Sequence, residues 1–217
     1  MSPQMIERIW RAFLDTVQMV GVSALVALAL GVPIAVLLTL SQPGGLAPAP
    51  RLNRSLAAVV NGFRATPFIV LLVALLPVTR FITGTTIGVW AAIVPLAISA
   101  TPFFARIAEV SLREVDHGLI EAAQAMGCRR RHIVAHVLLP EALPSLVGGF
   151  TITVVTMIGA SAMAGAVGAG GLGDVAIRYG YQRFDTNVMA VVIVILIALV
   201  CVVQFAGDFA VRRLSAR

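Results

Sequence analysis

The sequence predicts an all-α polytopic membrane protein with five transmembrane helices, and three observations predict it. Hydrophobic residues make up 59% of the 217 residues, charged residues only 12%, and the mean hydropathy is +0.97. Soluble domains carry about 25% charged residues, and a chain of this length has too much surface to hide so large an apolar share. The charges are also segregated. None lies between Asp15 and Arg51, Arg80 and Arg106, Glu141 and Asp174, or Asp185 and Asp208, and each gap holds the roughly 20 apolar residues that cross a bilayer. Finally, all 16 basic residues are arginine and most flank the apolar runs. That is the pattern of membrane topology rather than of a nucleic-acid footprint. An ordinary soluble domain and a disordered chain are excluded, and little room remains for a soluble catalytic domain.

Residues 1–15 mix polar and apolar types, with Ile6, Ile9, Trp10, Phe13 and Leu14 at helical spacing. They read either as a short interfacial helix or as an extension of the first span, residues 17–40. That span is too long, and follows too polar a start, for a cleaved signal peptide. The stretch from Ser41 to Pro50 is a turn-rich connector. A second span is expected over 56–79, with Arg64 near its cytoplasmic end, where it snorkels or pairs in preference to touching solute. The third span, 85–105, carries Pro95 and Pro102, which kink it or are tolerated.

The longest polar region, about 106–145, reads as a structured cytoplasmic loop. Leu119, Ile120, Ala123 and Met126 predict a helix, Gly127 ends it, a second helix covers 133–138, and Pro140 and Pro144 make a turn into span four. Five of the ten acidic residues fall between Glu109 and Glu141. The simplest purpose for such a loop is docking a partner. The fourth span, 146–168, is dense in small residues that permit close helix approach. Gly168–Gly173 is expected to form a tight re-entrant or external turn, not a phosphate loop, since no strand–turn–helix context surrounds it. Residues 174–186 suit an interface, and 187–207 is the fifth span.

Orientation follows from the arginines. With the N-terminus outside, the cytoplasmic parts carry Arg51, Arg54, Arg64, Arg106, Arg113, Arg129, Arg130, Arg131, Arg212, Arg213 and Arg217, whereas the outside carries Arg8, Arg11, Arg80, Arg178 and Arg183. The C-terminus is then cytoplasmic. Cys128 and Cys201 fall in a loop and a span, which disfavours a disulfide. No catalytic set is expected, because Ser145 and Ser161 lack a base. No metal site is expected either: His132 and His136 are four apart, but no acidic third ligand completes them. There is no lysine and no ATP-binding loop, so any ATP must be bound by another chain.

Glu121-Ala-Ala, then Gly127, Val137, Leu139 and Pro140 resembles the EAA loop of ABC-importer permeases, with Val137 in place of the usual isoleucine. The segments 61–68, 121–127, 137–144, 161–173, Tyr179-Gly-Tyr181 and 204–208 extend the resemblance over nearly the whole chain, to the type I permeases of the methionine-importing group. Ala160 departs from it, standing where a tyrosine is expected. The resemblance implies one permease domain over 1–217 in the bacterial cytoplasmic membrane, acting by alternating access and binding no cofactor itself. It implies a homodimer, two cytoplasmic ATPase subunits carrying ATP and magnesium, an external substrate-binding lipoprotein and surrounding lipid, with no nucleic acid. A coupling helix would bring Leu119, Ala122, Ala123 and Met126 into apolar contact with the ATPase, with Glu121 fixing the loop and Gly127 permitting a close turn. Arg129, Arg130 and Arg131 read as ordinary inside arginines or as contacts to the ATPase or lipid. Ser161, Met163 and Gly165 would line or gate the path. Other readings left open are a permease for another amino acid or small amine, and a small carrier or scaffold without an ATPase.

Overall fold

The computed structural model describes residues 2–215, so Arg217 of the topology count lies outside the described residues. Every regular element is helical. Helix α1, Pro3–Ser41, is one unbroken run, so residues 3–15 extend the first span rather than forming a separate interfacial helix. Ser2 caps it, its side chain accepting from the Met5 amide at 3.3 Å. At about 58 Å it is longer than a bilayer core. Its first turns pack inside the bundle, where Ile9 and Ala12 meet Leu172, Val188 and Val192.

The second span is not a continuous helix. Helix α2, Pro50–Ala65, stops at Thr66, and α3, Phe68–Ala74, leaves it at 103°. Thr66 precedes Pro67, whose ring drives the preceding residue out of the helical region, and Thr66 accordingly adopts φ −82°, ψ 124°. A short α4, Leu76–Thr83, follows and ends on Gly84. The apolar composition of 56–79 concealed this break, because hydropathy averages over a proline that the backbone obeys individually.

Helix α5, Val89–Arg113, absorbs Pro95 and Pro102 and runs eight residues past the expected end of span three. Beyond it come α6, His117–Ala125, and α7, Arg130–Ile133. The helix, glycine break and second helix expected within 106–145 are therefore present, α6 ending at Gly127 and α7 following it. The proline turn into span four is absent. A π-helical turn, Val134–Leu138, joins α7 directly to α8, Leu139–Ala164, giving a continuous helical run from Arg130 to Ala164. In an α-helix the Pro140 ring would collide with the carbonyl four residues back. Widening that turn to i→i+5 bonding relieves the collision, and the Leu139 amide donates to Val134 O.

After a second π-helical turn, Gly165–Ala169, the chain reverses into α9, Gly171–Val175. Gly168, Gly170 and Gly171 all have positive φ, and a Cβ on Gly165 would lie 2.5 Å from the Asp174 amide nitrogen. Glycine is required for a reversal this tight. The turn is pinned to α1, since Thr16 Oγ1 accepts from the Leu172 amide at 2.9 Å. A third π-helical turn, Ala176–Tyr181, precedes α10, Thr186–Ser215. Four helical runs are long and apolar enough to cross a membrane, and five if the bent pair counts as one crossing.

Helices α1, α5 and α8 form the centre, with α10 against α8 and α2 against α5. Phe104 of α5 is fully buried against Phe150 of α8, ring edge to face at 5.4 Å. Ser23 Oγ donates to Ile93 O across α1 and α5. The bundle has two ends. The C-termini of α1 and α5 meet α6 and the start of α8 at one, joined by α2, whose Asn53 donates to Leu38 O at 2.8 Å. The N-terminus of α1, the glycine turn and the start of α10 meet at the other, where the Gly88 amide donates to Gly168 O.

Candidate functional site

Helix α6 stands at the end of the bundle where the C-termini of α1 and α5 gather. Asp116 caps it by accepting from the Gly118 amide at 2.8 Å. Gly127 closes it in the left-handed region at φ 75°, and the Gly127 and Cys128 amides donate back to Gln124 and Ala123 carbonyls. A side chain at this φ costs about 1–2 kcal/mol.

Two faces result. Ile120 and Ala123 turn inward, Ala123 being buried and Ile120 packing on Leu112, Val115 and Leu138. Leu119, Ala122 and Met126 turn outward, with Met126 76% exposed. Ala123, expected among the outward apolar contacts, is instead buried at 4% exposure; it lies three residues from both Ile120 and Met126, and packing on the bundle rather than periodicity turns it inward. Glu121 is exposed and shares with Arg113, His117 and Gln124 a polar recess of about 400 Å³ beneath the connector of residues 42–46. Val137 and Leu139 are half-buried and Pro140 is exposed, at the π-helical turn beside α6. Arg129, Arg130 and Arg131 are exposed just beyond Gly127. His132 and His136 lie 5.9 Å apart, and among the described residues no group of three metal-binding side chains forms.

Ser161, Met163 and Gly165 do not come together. Ser161 is 2% exposed, its Oγ donating to Ile158 O at 2.7 Å, and Gly165 packs on α9. Met163 is 47% exposed. Residues four apart share a helix face, whereas one two positions away lies opposite, so Met163 alone of the three reaches the open side. There it borders a groove of about 200 Å³ bounded by α2, α5 and α8, which Ala160 also lines.

Two features escaped the sequence reading. Arg64 lines that same groove. Because α2 begins at Pro50, Arg64 sits about 21 Å along the helix, not near its start. Glu109 is buried at 4% exposure, with Arg106 Nη1 at 2.7 Å and Arg113 Nη1 at 4.0 Å. The spacing of three and four residues was the available signal for this brace.

The family described as the binding-protein-dependent transport system inner membrane component matches residues 27–217. A probable D-methionine transport system permease protein MetI of Vibrio cholerae is 54% identical over 203 residues, covering 94% of this chain and 90% of that protein. The methionine import system permease protein MetP of Bacillus subtilis is 42% identical over 181 residues, covering 83% and 82%. A solved structure of the MetNI methionine ABC transporter in inward-facing conformations superposes with a TM-score of 0.97 at 48% identity, over 99% of both chains. The chain therefore belongs to the family of inner-membrane components of binding-protein-dependent transport systems, as a multi-pass membrane transport subunit and not an enzyme.

Proposed function

We propose that this chain is the permease subunit of an ATP-driven methionine importer. It would pair with a second copy and be driven by two cytoplasmic ATPase subunits that hold the ATP and magnesium, and an external binding protein would feed it. The observation that carries the reading is the outward apolar face of α6. Leu119, Ala122 and Met126 are presented to solvent at the end of the bundle that also bears Arg51, Arg54, Arg106, Arg113 and Arg129–Arg131. Apolar side chains displayed on an otherwise polar element mark a docking surface, and the positive-inside rule puts this end in the cytoplasm, where an ATPase would be. The names borne by the relatives support methionine as the solute.

The fold suggests how force travels. Helix α6 is tied to the bundle through Ile120 and Ala123, and the helical run beginning at Arg130 extends to Ala164, past Met163. Closure of the ATPase dimer on ATP would move both α6 helices together. The run would carry that displacement to Met163, at the groove that would face the second copy in a homodimer. Met163 is long, flexible and exposed, which suits a gate that re-packs between states. The two conformations differ in affinity for nucleotide and solute, so ligand binding shifts the population between them. The permease does no covalent chemistry. With the bent pair counted as one crossing and the arginine-rich end inside, this reading has five crossings, the N-terminus outside and the C-terminus cytoplasmic, with residues 1–217 forming one permease unit.

The test is co-purification. Wild type should carry the ATPase through affinity purification, whereas Glu121→Arg and Met126→Asp should each weaken the complex about tenfold or more, the loss expected for a buried interface anchor. Full ATPase retention by both variants would remove α6 from the interface.

A further inference from the structure

We propose that Arg64 holds the carboxylate of the transported amino acid in a solute site within the permease. The proposal rests on the transport reading above and adds to it the chemistry by which the membrane part itself selects. Arg64 lies in the last turn of α2, just before the Thr66-Pro67 break. It faces the groove together with Ser99 of α5 and Thr156 of α8. Ser99 is about 15 Å from one end of α5 and about 21 Å from the other, so the groove lies near mid-depth of the bundle.

A cation at that depth is costly, and it is normally paired or turned toward a pathway. Among the described residues no carboxylate pairs with Arg64, and none lines the groove. The group that compensates the guanidinium must then come from outside the chain. A carboxylate fits best, because the planar fork donates two parallel hydrogen bonds to it. The Thr156 hydroxyl proton is already given to the Ile152 carbonyl. Its exposed oxygen is left as an acceptor at the groove, suited to the ammonium of a zwitterion. Phe103 and Met157 supply the apolar wall for an uncharged side chain. With one fixed positive charge and no fixed negative one, the site accepts neutral amino acids and rejects solutes with cationic side chains or without a carboxylate. The break after Arg64 gives the site its opening, since α3 turns away at 103° instead of covering it.

The experiment measures equilibrium binding of labelled methionine to the permease–ATPase complex in lipid nanodiscs, without the binding protein. Methioninol, which lacks the carboxylate, serves as the competitor. Wild type should bind methionine, and methioninol should compete about tenfold or more less well. Arg64→Gln should lose affinity by about ten- to a hundredfold, the range for a lost charge-assisted pair, while Arg64→Lys recovers part of it. Arg54→Gln, on α2 outside the groove, should bind as wild type. The methioninol comparison needs no variant and stands even where Arg64→Gln fails to assemble. Equal affinity for methionine and methioninol, equal affinity of wild type and Arg64→Gln, or no methionine binding by an importing wild-type complex would overturn the site and leave the transport reading intact. An assembled wild-type complex that imports no methionine would overturn the transport reading, and the site with it.

Discussion

Single residues divide into those whose role follows from backbone geometry and those whose role follows from exposure. Gly127 belongs to the first group. Its positive φ is incompatible with a branched side chain, so Gly127→Val should lower stability by about 1–2 kcal/mol and loosen ATPase binding, measured by denaturant titration and co-purification. Glu109 is held by two arginines in a nearly dry position. Glu109→Ala should cost about 1–3 kcal/mol through the lost charged hydrogen bonds, read as a lower Tm of the detergent-solubilised protein. The sequence made Gly127 legible because the apolar helical pattern stops there. Arg64 was legible as a charge inside an apolar run but not as a groove residue. Its depth depends on where α2 begins, and Pro50, at the first helical position, starts that helix six residues before the apolar run does.

At the scale of elements, long apolar runs were readable and interruptions were not. Helices α1, α5, α8 and α10 fall on the charge-free gaps because burial of apolar surface in lipid fixes them. The break at Thr66-Pro67 and the continuous passage through Pro140 pull in opposite directions from the same residue type. One proline ends a helix, and the other is absorbed by a π-helical turn. Local sequence does not distinguish these outcomes; the packing of Leu138 and Ala142 on Phe104 and Leu112 does, holding α8 in line with its neighbours. The glycine turn was legible as a turn, but its packing was not, since Thr16 is 156 residues away from its partner Leu172. Thr16→Val leaves the buried Leu172 amide unpaired and should cost about 1–3 kcal/mol. Hydrogen exchange should then quicken over 168–175 before it quickens elsewhere.

For the whole molecule, the two ends of the bundle differ in charge, and that asymmetry predicts orientation. Cys128 is exposed beside α6. In intact cells a membrane-impermeant maleimide should leave it unlabelled, and permeabilisation should expose it; labelling in intact cells would reverse the topology. In the proposed transport cycle, ATP bound by a partner moves α6 and thereby opens the groove to methionine. The most direct measurement is uptake of labelled methionine by vesicles containing permease, ATPase and binding protein, with wild type and Met126→Asp compared at equal permease content. Saturable, ATP-dependent uptake by wild type, reduced about tenfold or more in the variant, is the predicted result. Uptake that ignores ATP, or that Met126→Asp leaves unchanged, would contradict it.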